Sequence, residues 1–187
     1  MEIPLFPLHS ILFPGGALPL RIFESRYIDL VRRCLREDSG FGICMIRQGK
    51  EVGGVAEVYE VGTYGKIQYF EQLESGLLGI TVRGERRFQL RRTWVESDQL
   101  LMGEVEFLAA EPRQPLGEQY RPLAELLGEI IQQLGPPYSV LPSEYDDAAW
   151  VGQRLTELLP IDAELKQYFL QLDDPVQRLE RIVALLA

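Results

Sequence analysis

Residues 11–27, ILFPGGALPLRIFESRY, hold more structural signals than any other part of the chain. Pro14 and Gly15 predict a tight turn, because proline presets φ at the first central position and glycine accepts a positive φ at the second. Through residues 18–23 apolar residues then alternate with other residues, which is the two-residue period of a strand. Pro19 has no N–H group, so this strand is expected at a sheet edge or at a bulge.

Beyond this strand the apolar period becomes that of a helix. Apolar residues recur three or four positions apart, at Phe23, Tyr27, Leu30, Val31, Cys34 and Leu35. This spacing predicts one helix over about 24–38, which ends where glycine follows at position 40. Arg21 and Glu24 lie at the junction of strand and helix. They could form an ion pair that fixes the corner, or they could present polar groups to a ligand.

The length, net charge and apolar runs of the chain restrict the class of protein. A chain of 187 residues forms one large domain or two small ones. The net charge of −9 argues against a general nucleic-acid binder, because phosphate contacts need a basic surface. No apolar run approaches the ~20 residues of a membrane helix, and no basic segment precedes an apolar core at the N-terminus. We therefore expect a cytoplasmic protein with no membrane association, in which Cys34 and Cys44 are buried, reduced thiols.

The first half of the chain has the pattern of a β-barrel. Residues 1–13 are apolar and rich in proline, which suits an extended segment, and 41–47 form a short apolar strand. Five further strands are predicted at 55–61, 64–73, 77–83, 86–95 and 100–108. The turns between them are assigned to Gly62-Thr63, Ser75-Gly76, Gly84-Glu85 and Ser97-Asp98. Seven or eight short strands with turn residues at this spacing are enough to close a small barrel.

The second half of the chain has the pattern of a helical bundle. Residues 111–115, EPRQP, are polar and contain two prolines, so they mark a boundary. Four amphipathic segments follow, and Asp162 and Asp174 are placed to cap the last two. We therefore predict an α+β protein with a barrel subdomain over 1–110, including one helix, and an α-helical subdomain over 116–187.

A catalytic site is not indicated. There is no nucleophile elbow, no metal-spaced set of His and Cys, and no dinucleotide fingerprint, so we expect no enzyme, cofactor or metal. His9, the only histidine, is interpreted as a turn residue. The acids Glu144, Asp146 and Asp147 are interpreted as a solvated helix start. A small hydrolase that uses carboxylates remains a minor hypothesis.

An arginine cluster supports an alternative function. The cluster lies on two neighbouring predicted strands near several aromatic residues and consists of Arg83, Arg86, Arg87, Arg91 and Arg92. Such a surface could contact RNA through stacking and phosphate pairing. The other interpretation is a solvent-facing ladder that pairs with acids elsewhere on an acidic protein.

Several motifs in this order resemble one known family. LFPL at 5–8, LFPG at 12–15, LPLRIFE at 18–24 and Arg26-Tyr27 are similar to the N-terminal substrate-binding domain of Lon, the ATP-dependent protease. Later pieces also resemble that domain in the right order, among them VGT at 61–63, Gly84 with Arg87 and Phe88, and Arg178-Leu179. The resemblance covers essentially the whole chain.

The resemblance implies a PUA-like barrel followed by helices, and a non-enzymatic module that binds polypeptide. Without the ATPase and protease segments of Lon, the 187 residues are expected to act as a stand-alone binding domain. The expected ligand is an unfolded or exposed apolar polypeptide, or a protein partner such as a protease, and nucleic acid is disfavoured. The expected contact residues are Phe13, Arg21, Phe23, Glu24 and Tyr27, in which apolar groups grip and charges orient.

Overall fold

A computed structural model describes all residues 1–187, and it contains seven strands in a mostly antiparallel sheet and five α-helices. The strands are β1 (Glu2–Leu8), β2 (Ala17–Ile22), β3 (Phe41–Gln48), β4 (Glu57–Val58), β5 (Val61–Gln72), β6 (Leu78–Val95) and β7 (Leu101–Phe107). The helices are α1 (Ser25–Glu37), α2 (Arg121–Leu134), α3 (Ala148–Leu158), α4 (Ala163–Gln171) and α5 (Pro175–Leu186). The predicted α+β class is confirmed. None of the helices has the length and apolar character needed to cross a membrane.

The chain divides into two units, Met1–Leu108 and Ala109–Ala187. All seven strands and α1 belong to the first unit, and the other four helices belong to the second. The polar segment 111–115 that we interpreted as the boundary lies at the start of the second unit.

Strand pairing in the first unit closes on itself. β1 pairs with β7, β7 with β6, β6 with β5, β5 with β3, and β3 returns to β1. The β1–β3 pair is parallel, with Leu5 opposite Gly42, and the other pairs of this ring are antiparallel. β2 lies outside the ring and pairs with β6 alone.

The predicted turn at Gly84-Glu85 is wrong, because both residues lie inside the long strand β6. Pairing passes from Tyr64–Arg86 to Gly65–Gly84, so Glu85 is an extra residue in a β-bulge. A Cβ atom at Gly84 would lie 2.2 Å from the Phe13 carbonyl oxygen. The glycine therefore permits a close approach of two backbones and makes no turn.

The predicted turn at Gly62-Thr63 is wrong for a similar reason, since both residues lie within β5. A Cβ atom at Gly62 would lie 2.5 Å from the carbonyl oxygen of Ile43 on the facing strand. The Thr63 hydroxyl is buried and donates to the Leu12 carbonyl oxygen. The strand predicted over 55–61 is reduced to the two residues of β4.

Two apolar clusters form the core of the first unit. Neighbouring residues of a strand fall into different clusters, as Leu5 and Phe6 do on β1, because side chains alternate across a strand. One cluster packs against the buried face of α1, and the other is centred on residues such as Phe88. Cys34 and Cys44 are buried free thiols, as predicted. Burial raises the pKa of the Cys44 thiol to about 12, so it stays protonated.

The four helices of the second unit share one apolar core, which includes Leu127, Leu155, Phe169 and Leu179. A buried arginine lies beside this core. Arg178 donates to both carboxylate oxygens of Glu111, at 2.8 and 2.7 Å, and also to two backbone carbonyls. These hydrogen bonds offset the free-energy cost of removing the guanidinium charge from water.

The predicted helix caps differ in outcome. Asp174 accepts hydrogen bonds from the N–H groups of Val176 and Gln177, which confirms it as the cap of α5. Asp162 occupies the cap position of α4, but its side chain makes no capping bond. Asp147 caps α3, which confirms the predicted helix start, but its side chain is buried, so the prediction that it is solvated was wrong.

Candidate functional site: a cleft along the open edge of β2

The open edge of β2 is the centre of the candidate site. β2 runs antiparallel to β6, with Pro19 opposite Thr81. Gly84 of β6 donates its N–H to the Gly16 carbonyl oxygen at 3.0 Å. Because backbone groups alternate in direction along a strand, those of Leu18, Leu20 and Ile22 face β6, while those of Pro19 and Arg21 face outward. Pro19 thus loses no ladder bond, which agrees with the edge position predicted for this strand.

A hollow of about 290 Å³ runs beside this edge. It is lined by four consecutive residues of the β2 segment, 19–22, together with Phe6, Leu8, Phe23, Glu24, Tyr27, Glu51 and Val52. Successive side chains of a strand point to opposite faces, so a cavity lined by four in a row follows the strand's edge. We call this hollow the β2 cleft.

The apolar groups of the β2 cleft differ in exposure. Phe23 is 53% exposed and Val52 is 52% exposed, so both rims offer apolar surface to solvent. Beneath them the ring of Tyr27 stacks on that of Phe6, with centroids 4.0 Å apart. The result is a firm aromatic floor between two exposed apolar rims, which suits contact with apolar side chains of a ligand.

Most charged side chains of the β2 cleft already have a partner within the protein. Glu24 pairs with Arg26 at 3.1 Å, and Glu51 accepts the backbone N–H of His9 at 2.7 Å. The proposed pair between Arg21 and Glu24 is therefore replaced by a pair between Glu24, at the N-cap of α1, and Arg26 in its first turn. The guanidinium of Arg21 is exposed and has no carboxylate of the chain as its partner.

Arg26 positions the wall of the cleft, and the sequence did not single it out as a site residue. Its buried guanidinium donates to the carbonyl oxygen of Gly53 at 3.0 Å and to that of Gln99 at 2.9 Å. The first bond holds the loop that carries Val52. The only sequence signal was its place in the strand-to-helix junction, since both partners are distant along the chain.

The Tyr27 phenol is kept neutral by its surroundings. Burial raises its pKa to about 12, and the negative charges of Glu24 and Glu51 act in the same direction. The nearby Arg26 opposes this effect in part. The Tyr27 phenol therefore stays protonated near neutral pH and serves the cleft as an aromatic contact surface.

A second hollow, of about 300 Å³, lies on the other side of the same strand. Both hollows are lined by Pro19, Leu20 and Arg21. The second one also extends over β6 and β5, where Gly79 leaves room between Arg21 and Glu71 on neighbouring strands. Recesses on both sides make β2 accessible along its length.

The structure brings together four of the five residues predicted to contact polypeptide. Arg21, Phe23, Glu24 and Tyr27 all line the β2 cleft. Phe13 does not, because its side chain is fully buried in the core. Including Phe13 was wrong: its apolar character reflects packing beside Gly84 and not an exposed surface. Tyr27 is only 5% exposed, so it forms the floor.

The arginine cluster is largely engaged within the protein. Arg87 is 3% exposed, so its place in an RNA-contacting surface was wrong. Arg91 donates to Glu106 at 3.1 Å and Arg92 to Glu104 at 2.6 Å, both on the neighbouring strand β7. The remaining two members also lie in the sheet: Arg86 sits over the ring of Phe107, and Arg83 is half-buried opposite Ala17. This arrangement is the paired ladder that the sequence offered as the other interpretation.

A recess of about 730 Å³ in the second unit lies between α2 and residues 145–146. Its walls include the carboxylates of Glu125, Glu129 and Asp146, and no histidine, cysteine or serine lines it. It therefore lacks a Ser–His or Cys–His pair. No group of three His, Cys, Asp or Glu side chains in the described chain is placed to hold a metal ion.

Comparison with known proteins decides the family. Residues 2–187 match the family described as the ATP-dependent protease La (LON) substrate-binding domain. The chain belongs to this family. The resemblance seen in the motifs of residues 5–27 is thereby confirmed for essentially the whole Lon-type domain.

Individual relatives agree with this assignment. Lon protease 2 from Myxococcus xanthus is 25% identical over 191 residues, which cover 98% of this chain and 23% of that protein. A crystal structure of a Lon N-terminal domain protein from Xanthomonas campestris has a TM-score of 0.78 and 38% identity, with 98% of each chain covered. The N-terminal domain of Lon protease from Mycobacterium avium complex shares the fold, with a TM-score of 0.66, 18% identity, and 98% and 97% of the two chains covered. This Lon-type domain thus spans less than a quarter of its full-length relative.

Proposed function

We propose that this Lon-type domain is a non-enzymatic module that binds exposed apolar segments of unfolded polypeptide in the β2 cleft. The observation that carries the proposal is the cleft itself. An open strand edge lies beside an aromatic floor, and Phe23 and Val52 expose apolar surface on its rims. Exposed apolar surface beside a concave recess is the usual mark of a binding site in a soluble domain.

The family supports the class of ligand. Its description names a substrate-binding domain of an ATP-dependent protease, and the substrates of a protease are polypeptides. The 187 residues contain no nucleotide-binding loop and no serine–lysine protease motif, so the module contributes binding and not cleavage. A protease or another protein partner would then act on what this module holds.

The cleft residues divide into three roles in this proposal. Phe23 and Val52 grip apolar side chains of the ligand, and Tyr27 with Phe6 forms the floor. Arg21 orients the ligand by its charge. Glu24 acts through Arg26, which it helps to hold in place, and so supports the wall of the cleft.

The proposal is tested by fluorescence anisotropy with a labelled, permanently unfolded polypeptide. We expect saturable binding that persists with excess unlabelled RNA and at raised salt, because apolar contacts are weakly screened. Phe23→Ala should weaken binding about tenfold or more, as expected for loss of an aromatic anchor. A folded domain that does not bind the polypeptide would contradict the proposal.

Phe70→Ala is the matched control. Phe70 is 57% exposed on β5 and does not line the β2 cleft. Its loss removes the same side chain from a similarly exposed position, so binding should remain unchanged. Equal losses for the two variants would show that the polypeptide contacts apolar surface without preference for the cleft.

RNA binding is the weaker candidate. The pairs of Arg91 with Glu106 and Arg92 with Glu104 occupy the charges that would meet phosphates. If RNA bound at this sheet, affinity would fall steeply with salt and with Arg91→Ala. Anisotropy of a labelled RNA, titrated at two salt concentrations, measures this binding directly.

We also infer a PUA-like barrel for the first unit and a helical bundle for the second. The closed ring of five paired strands supports the first inference. The apolar core shared by four helices supports the second.

A further inference from the structure

We infer that the bound polypeptide adds to the sheet as an extra strand beside β2, with alternate apolar side chains in the cleft and an acidic side chain next to Arg21. This inference rests on the proposed function and specifies how the ligand is recognised. Main-chain hydrogen bonds would give affinity for any extended segment. The side-chain pattern would decide which sequences bind most tightly.

The backbone of β2 offers the necessary groups. The outward-facing ones are the carbonyl oxygen of Pro19 and both the N–H and the carbonyl of Arg21, because the alternate residues face β6. No other strand pairs with this edge. Pro19 cannot donate, so the edge accepts a partner strand in a restricted register and is a poor template for long, uniform pairing.

The shape of the cleft fits an extended chain. It follows β2 through four consecutive residues, so a ligand that fills it runs parallel to the strand axis. Alternate side chains of an extended ligand would point toward the floor formed by Phe6 and Tyr27. The intervening side chains would point toward the face where Pro19 and Arg21 are exposed.

The charged side chains beside the β2 edge determine which ligand side chains are preferred at the positions that point away from the floor. The carboxylate of Glu24 is held by Arg26, and that of Glu51 by the His9 backbone. Arg21 remains as an exposed cation without a carboxylate partner in the chain. An acidic residue opposite it would form a cross-strand pair of opposite charges, even though the net charge of the protein is −9. The preferred ligand is therefore an extended segment that alternates apolar and acidic residues.

Backbone methylation tests strand addition on the full chain. The parent is a short synthetic peptide of alternating valine and glutamate, and two derivatives carry N-methyl groups on odd or on even residues. In an added strand only one set of N–H groups faces β2. We expect that derivative to bind at least about tenfold more weakly, since the two hydrogen bonds to the carbonyls of Pro19 and Arg21 are lost, while the other keeps the parent affinity.

The outcomes separate this inference from the proposed function. If the unfolded polypeptide and the parent peptide bind but both methylated derivatives bind equally well, strand addition is overturned and the proposed function stands. If neither the polypeptide nor the parent peptide binds, both fail. A second copy of the chain on the β2 edge would appear in light scattering as a dimer that the parent peptide does not dissociate, and it would also overturn the inference.

A charge swap tests the pairing with Arg21. Arg21→Glu should weaken binding of the valine–glutamate peptide and strengthen binding of a valine–lysine peptide. Because Arg21 is exposed, the variant should remain folded, which circular dichroism checks. If the lysine peptide already binds the unchanged protein more tightly, the net charge of the domain dominates and the assigned role of Arg21 is wrong.

Discussion

Arg26 donates a hydrogen bond from its guanidinium to the carbonyl oxygen of Gly53 at 3.0 Å, which joins the start of α1 to the loop that forms one wall of the β2 cleft. A second bond from the same group reaches Gln99, in the turn before β7. One buried side chain therefore ties together three segments that are far apart in sequence. The shape of the cleft depends on this connection.

Replacement of Arg26 should destabilise the first unit. Arg26→Met removes two hydrogen bonds and the pair with Glu24, all of which are made by a guanidinium of a buried side chain. We expect a loss of about 2–4 kcal/mol in the free energy of unfolding, measured by urea titration. Arg32→Met is the control, since its pair with Asp29 is exposed and should contribute less than about 1 kcal/mol. A similar loss in the two variants would contradict the role of Arg26.

Gly84 should not tolerate a side chain. In Gly84→Ala the new Cβ would lie 2.2 Å from the Phe13 carbonyl oxygen, so the backbones of two segments must separate. We expect a loss of about 1–3 kcal/mol by urea titration, typical of overpacking. Gly54→Ala is the matched control, because a Cβ there would meet no atom within 4 Å. Its stability should stay the same or rise slightly as the unfolded chain loses freedom.

Stability should fall at alkaline pH through Tyr27. Its pKa is about 12 in the folded protein and about 10 in an unfolded chain, so the folded state binds this proton more tightly. The resulting stabilisation is fully present below pH 10 and is lost as the pH rises toward 12. At about 1.4 kcal/mol for each pKa unit, the loss can reach roughly 2–3 kcal/mol.

Tyr27→Phe isolates this contribution. Urea titrations of both proteins from pH 8 upward should show a steeper alkaline loss for the unchanged protein. Other buried groups titrate in this range, among them Tyr64 and Cys44, whose pKa values are also raised by burial. Because both proteins contain them, their effect cancels in the difference, and parallel curves would contradict the assignment to Tyr27.

The caps of α4 and α5 should differ in energy. Asp174→Ala removes the acceptor for two N–H groups at the start of α5, so we expect a loss of about 1 kcal/mol. Asp162→Ala removes a side chain that makes no capping bond, so stability should change by less than about 0.5 kcal/mol. Thermal unfolding followed by circular dichroism measures both, and a larger effect at Asp162 would refute this comparison.

Local patterns were the part of the fold that sequence could predict. The alternation of residues 18–22 predicted β2, the apolar period after Phe23 predicted α1, and Asp174-Pro175 predicted the start of α5. Each of these signals depends on residues close together in the chain. The conformational preferences behind these signals depend on neighbouring residues, and those neighbours can be read directly from the sequence.

The glycines show where such reasoning fails. Gly62 and Gly84 were both interpreted as turn residues, yet each lies within a strand where another backbone comes too close for a Cβ atom. A glycine at a turn and a glycine at a close approach look alike in a sequence. Only the position of the distant partner distinguishes them.

The motifs and local periods of the sequence were enough to predict the family, the α+β class and the edge position of β2. The exposure of Phe23, the burial of Phe13 and Tyr27, and the support that Arg26 gives to the cleft wall became visible in the folded structure. The physical reason is that burial and hydrogen-bond partners depend on contacts between segments far apart in the chain. The local sequence around an apolar or charged residue is the same whether its side chain becomes buried or stays exposed.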